Sequence, residues 1–203
     1  MTEDHQPETD PATVLLLAPD IGSTAGEVVA AALEERPDRV VAVTVAGTAE
    51  RWLDGWRRLA SSSPATSVTC VDVAGDTRSV TAEAERLGDD HDGTGVAVER
   101  VRDPTALEEL GRTVSDVLQR ADEADERVAV VVHTLSDLCT HVDEATAFKF
   151  VYTLGEVVDR VDAAAYFHLD PAAGGPETVE TFSVVCDDVV ELDARSELDP
   201  SEQ

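Results

Sequence analysis

Hydrophobic positions along the chain fall into short continuous runs separated by stretches of helical spacing. The first run, Thr13 to Ala18 (TVLLLA), is unbroken by charge, as a strand reads when both of its faces are covered. Pro19 and Asp20 end it, and Ser23 to Glu35 carries small apolar residues at helical spacing up to Pro37. The same order then repeats. Arg39 to Val45 reads as a strand, Thr48 to Ala60 as a helix and Ser67 to Val73 as a strand. Asp76 to Leu87 fits a further helix, and Gly88 to Gly95 (GDDHDGTG) is the plainest loop. Beyond it come a strand at Val96 to Val101, a helix at Pro104 to Ala121 and a strand at Arg127 to Val132. A long helix over His141 to Arg160 shows an apolar face of Ala147, Phe150, Val151, Leu154, Val157, Val158 and Val161. A strand at Ala163 to His168, a helix at Pro176 to Val185 and a strand at Val189 to Leu192 complete the series.

Strands alternating with helices predict an α/β three-layer sandwich, with a mostly parallel central sheet, right-handed crossovers and helices on both faces. At 203 residues one domain is expected, over residues 12–193, between an acidic disordered tail at 1–11 and a frayed tail at 194–203. No internal repeat is visible.

Charge changes this picture more than length does. Forty-three acidic residues stand against 15 lysines and arginines, a formal net charge of -28. Such a surface repels nucleic acid and anionic membrane, so neither is an expected partner. Lys149 is the single lysine. The chain is 42% hydrophobic, and those residues are gathered into runs, which argues against acidic disorder. In near-molar salt the Debye length is roughly 3 Å, so a dense carboxylate shell stays hydrated while its self-repulsion is screened. The composition therefore predicts a halophile's cytoplasmic protein, in which most single carboxylates are solvent decoration. Cys70, Cys139 and Cys186 are widely spaced, which indicates neither a disulfide framework nor a zinc knuckle. No apolar run approaches the roughly 20 residues of a membrane span.

In an open α/β sheet the loops beyond the carboxyl ends of the strands carry function. The first of them, in LLLAPDIGSTAGEVV, sets Gly22, Ser23, Thr24 and Gly26 where a phosphate-binding loop would lie. Such a loop uses glycines so that backbone N–H groups converge, a lysine for charge and a hydroxyl for magnesium. The lysine is missing here. Gly22, Ser23 and Thr24 remain as a vestigial phosphate loop whose amides can still hold an anion weakly.

Other candidates have plain structural readings beside them. Asp90, Asp92, Gly93 and Glu99 fall at the third, fifth, sixth and twelfth positions of a calcium loop, but Gly88 stands at the first and a strand follows, so a solvated acidic loop is expected. Trp52 and Trp56 share one helix face and read as packing rather than a ligand cage. His133 and His168 close two strands, with Cys139, His141 and Asp170 near them in sequence. A metal across those strand ends is one reading and hydrogen-bonded histidines the other, and the lack of ligand spacing favours the second. No G-x-S-x-G elbow or ordered Ser-His-acid set supports a hydrolase.

The blocks DPTALEELGRTVSDVLQR, RVAVVVHTLSDL, FKFVYTLGEVVDRVDAAAYFHLDP and ETVETFSVVCDDVVEL, from Val101 to Asp193, resemble the RecA superfamily in its KaiC-like and RadA-like branch, and in particular haloarchaeal proteins in which that domain has decayed. Before residue 100 the resemblance rests on the order of strand, loop and helix. It implies a RecA-like P-loop NTPase fold, and at matching positions it implies loss of activity. IGSTAG at Ile21 to Gly26 stands where active members have the P-loop lysine, Ala46 and Gly47 where they have paired glutamates, and His133 before Thr134 where they have the magnesium-associated Asp before a Ser. Each loss costs orders of magnitude in phosphoryl transfer.

The resulting expectation is a non-catalytic RecA/KaiC-like domain that regulates or scaffolds through a protein partner or a homologous RecA-like subunit, with no catalytic residue, metal or obligate cofactor. The alternative is a weak nucleotide-binding protein or NTPase that takes ATP and magnesium on the Gly22–Thr24 amides. A homo-oligomer fits the resemblance, and the outer face of the Trp52/Trp56 helix is the candidate interface.

Overall fold

A computed structural model of the chain describes residues 13–19, 37–45, 52–53, 56, 67–73 and 96–192. Seven described strands form one sheet: β1 (Thr13–Leu17), β2 (Arg39–Val45), β3 (Ser67–Val73), β4 (Val96–Val101), β5 (Val128–His133), β6 (Ala164–Leu169) and β7 (Asp188–Glu191). Four described helices join the later strands: α1 (Leu107–Asp122), α2 (Leu135–His141), α3 (Glu144–Arg160) and α4 (Pro171–Ser183). The sheet runs β4-β3-β2-β5-β6-β1-β7, and each pairing is parallel. A mostly parallel sheet was the expectation, and here it is wholly so.

The strand order dictates which face each helix covers. From β4 to β5, β5 to β6 and β6 to β7 the chain moves along the sheet in one direction, so right-handed crossovers put α1 through α4 on one face. Leu15, Val43, Val130, Val132 and Phe167 point to that face and pack with Leu110, Val114, Val151, Leu154 and Phe182 of the helices. From β1 to β2 and β2 to β3 the chain moves the other way. Accordingly Val14, Leu16, Val40, Ala42, Cys70 and Val131 point to the opposite face and pack with Trp52 and Leu53, which are helical. Helices on both faces make the three-layer α/β sandwich. Trp52 is 1% exposed and stacks on Trp56, with ring centroids 5.6 Å apart. Packing is thus the role of Trp52, which removes it from any exposed interface.

Several boundaries move for local reasons. The turn before α1 is held by Asp103, whose carboxylate accepts from the Thr105 amide and hydroxyl, so helical backbone starts at Leu107 and not at Pro104. Asp143 caps α3 by accepting from the Thr146 amide, and these bonds hold its carboxyl below the usual range. Residues 135–140, not expected to be helical, form α2 with His141 behind its own cap at Thr134, and the long helix expected from His141 starts instead at Glu144. At α4 the helical backbone begins with Pro171 behind the Asp170 cap, breaks at Gly175 with φ 78°, and resumes at Pro176, the expected start. Across the amino-terminal edge of the sheet, Arg39 donates to both Glu126 oxygens at 2.6 and 3.2 Å, which joins β2 to the turn that enters β5.

Candidate functional site

Two neighbouring strand pairs send the chain in opposite directions at their carboxyl ends. β6 leads toward β7 while β1 leads toward β2, and β5 leads toward β6 while β2 leads toward β3. Crevices at such switch points are where open α/β sheets bind ligands. The side chains that the sheet gathers there form one polar row. Asp72 of β3 is the register partner of Thr44 of β2, Thr44 is the partner of His133 of β5, and His168 of β6 is the partner of Leu16 of β1. Each polar member lies two residues beyond a residue of the Trp52 face (Cys70, Ala42, Val131 and Tyr166), so all four side chains project to that face. They are buried: Thr44 is 0% exposed, Asp72 1%, and His133 and His168 2% each.

His133 and His168 meet directly. Their Nδ1 atoms are 2.8 Å apart, their ring planes are within 5° and their centroids are separated by 4.9 Å. That centroid distance is close to the N–N distance plus two ring radii, so the imidazoles lie edge to edge with the bond in their common plane. The other nitrogen of His168, Nε2, lies 2.9 Å from the carbonyl oxygen of Ala18, just past β1. A carbonyl only accepts, so Nε2 carries a proton and donates it. When both rings are neutral, Nδ1 of His168 is then the acceptor and Nδ1–H of His133 the donor. One hydrogen-bond chain therefore ties together the carboxyl ends of β5, β6 and β1.

The surrounding turns are fixed by their own bonds. Thr134 follows a cis peptide after His133 and its hydroxyl accepts from the Asp137 amide at 2.9 Å. Ser136 accepts from the Asp170 amide at 2.9 Å, joining the turn after β5 to the turn after β6. Replacing Thr134 with Ala is expected to cost about 1 kcal/mol, the usual value of a lost N-cap, read as a lower denaturant midpoint in molar salt. Next to the row, Thr44 Oγ1 lies 3.7 Å from Cys70 Sγ. Burial, with a smaller contribution from the Asp72 charge and against the Thr44 bond, pushes the Cys70 thiol up to about 12, so it stays protonated at neutral pH.

The positions singled out in the sequence are distributed unevenly around this site. His133 and His168 are brought together. Cys139 and His141 lie on α2, His141 exposed and Cys139 half-buried with its thiol raised by burial, and Asp170 caps α4. Among the described residues no three His, Cys, Asp or Glu groups converge in a metal-binding arrangement. Gly22, Ser23 and Thr24, along with Ala46, Gly47 and the loop from Gly88 to Gly95, lie outside the described residues. Glu99, the last position of the calcium-loop pattern, sits in β4 and accepts from Arg120 of α1 at 3.0 Å. Thr44 and Asp72 were not recognised as candidates. Their signal was a polar residue next to last in a mostly apolar strand, RVVAVTV and SVTCVDV.

Comparison with known proteins supports the architecture more than any chemistry. A solved structure from Pyrococcus horikoshii OT3 is similar over 90% of this chain and 82% of its own, with a TM-score of 0.53 and 13% identity, a likeness of fold alone. No curated protein matches the sequence. No described helix is long and apolar enough to cross a membrane. The sequence itself, with its apolar runs and the strand ends that carry Thr44, Asp72, His133 and His168, is matched across residues 11–192, and by that match the chain belongs to the family of unknown function DUF7504.

Proposed function

We propose that this chain is a non-catalytic RecA/KaiC-like domain that acts in a halophilic cytoplasm as a regulatory or scaffolding module, through a protein partner or a homologous RecA-like subunit. One observation carries the reading. At the strand end where the resemblance implies a magnesium-associated carboxylate, the side chain is His133, and it is spent on a buried bond to His168 and through it to Ala18. A metal-associated carboxylate offers negative charge and open lone pairs to a hydrated cation. An imidazole held edge to edge against another offers no negative charge, and its Nδ1 is already engaged in the bond to its neighbour. The pair stitches three strand ends into a fixed rim, which suits a domain used for its shape. The net charge of -28 directs partner choice toward surfaces of opposite sign or toward contacts made at high salt.

Calorimetry with ATP and magnesium in molar salt tests the reading. The expected result is no heat of binding at micromolar affinity. Micromolar binding that is abolished by altering Ser23 and Thr24 would overturn the proposal and establish the nucleotide-binding alternative.

A further inference from the structure

We infer that the His133–His168 pair is a proton-sensitive clamp on the carboxyl-terminal rim of the sheet, closed while the two rings share one proton between their Nδ1 atoms and released when each ring carries its own. The inference rests on counting protons against the geometry. Two imidazoles have four nitrogens. With both rings neutral, two protons are present, one on His168 Nε2 facing Ala18 and one between the Nδ1 atoms. A third proton is compatible with the same bond, because one ring can be an imidazolium while the other keeps an Nδ1 lone pair. A fourth is not. With both Nδ1 atoms protonated, two N–H groups would point at each other across 2.8 Å, and two positive charges would share a site 2% exposed.

The groups around the pair set which step matters. On the same row β3 supplies Asp72, whose register partner in β4 is the exposed Arg100. β2 supplies the uncharged Thr44 and β1 supplies Leu16 and the Ala18 carbonyl. The first turn of α2, after β5, carries Asp137, and the turn after β6 carries Asp170, which caps α4. Asp72 lies two strands from His133 along the row, on the order of 10 Å at ordinary strand spacing. Its negative charge favours the third proton, which the bond tolerates. It does not restore the bond that the fourth proton removes.

The sign of the effect follows from linkage. In the unfolded chain both imidazoles take up a second proton as pH falls through about 6.5, so four protons are bound in acid. The closed clamp holds three at most. The open or unfolded state therefore binds more protons, and closure weakens as pH falls below that range. The segments released would be the root of the loop after β1, where the Ala18 amide donates to Leu169 at 3.2 Å, and the turns leading into α2 and α4. Among the described residues the amino-terminal edge of the sheet, tied by Arg39 and Glu126, carries no histidine and would stay closed.

Amide hydrogen exchange combined with ¹⁵N-imidazole NMR, on the full chain in molar salt without nucleotide, tests the clamp. At pH 7.5 the spectra are expected to show a shared Nδ1 proton. Protection at Ala18, corrected for intrinsic exchange, is expected to fall by up to tenfold per pH unit below the fourth protonation while Val41 and Val130 keep theirs. The His168→Gln variant separates protonation from bond breaking, since its amide accepts from His133 and donates to Ala18 whatever the charge on His133. Its Ala18 protection should lose the pH dependence. If that variant does not fold, His133→Gln serves equally, because its amide can turn to donate to or accept from His168. Identical pH dependence in wild type and variant, or separate Nδ1 protons at pH 7.5, would overturn the clamp. With nucleotide absent throughout, either outcome is independent of the calorimetric result.

Discussion

Phe167→Ala is expected to lower stability by about 3–5 kcal/mol, the largest effect of any single truncation described here. Phe167 is 0% exposed, belongs to β6 between β5 and β1, and faces the side of the sheet covered by four helices. Its ring is surrounded on that side by the cluster that contains Leu15, Val132 and Phe182. Truncation removes a ring's worth of apolar burial and leaves a void that strands on either side cannot fill, because a parallel ladder fixes their spacing. For a chain of this length that loss corresponds to a drop in Tm of roughly 10 °C. Thermal unfolding followed by circular dichroism in molar salt reads it. A change under 1 kcal/mol would mean that β6 is not the central, doubly covered strand described.

His168→Ala is the second large expectation, at about 2–4 kcal/mol near neutral pH. The substitution strips partners from two groups at once, Nδ1 of His133 and the Ala18 carbonyl, both at the buried end of the sheet. Orphaned polar groups cost more than the bond itself contributed, and the vacated ring adds a cavity. The informative comparison is with His168→Gln at neutral pH. Glutamine has an oxygen and a nitrogen spaced much like the two ring nitrogens, so most of the loss should be recovered. Equal destabilisation by Ala and Gln in urea unfolding would show that ring packing, and not the hydrogen-bond chain, holds the rim.

How far the sequence revealed this differs between the fold and the site. Unbroken runs such as TVLLL and VAVVVH are what a strand buried on both faces requires, so every described strand was found to within a residue. The helix starts were harder because they are decided by single side-chain bonds. The Asp103 turn delays α1, and Thr134 caps a helix of only seven residues, too short to show a periodicity. For the site, His133 and His168 were legible as strand-end residues. Their pairing was not, since it depends on β5 lying beside β6 and on β1 being inserted between β6 and β7. Thr44 and Asp72 join the row only through register, a relation among residues 28 and more apart in sequence. The Gly22–Thr24 reading came from composition and order in a segment outside the described residues, and it rests on calorimetry.

The solitary lysine has a practical meaning once it is placed. Lys149 lies on the exposed side of α3, the long helix on the face away from the histidine pair. Apart from the chain's terminal amine, an amine-directed cross-linker has one target on the protein. A bound partner captured through it would be mapped at once to the α3 layer, and a partner known to bind yet missed by it would be sought near the opposite face, around Trp56, or at the strand-end rim.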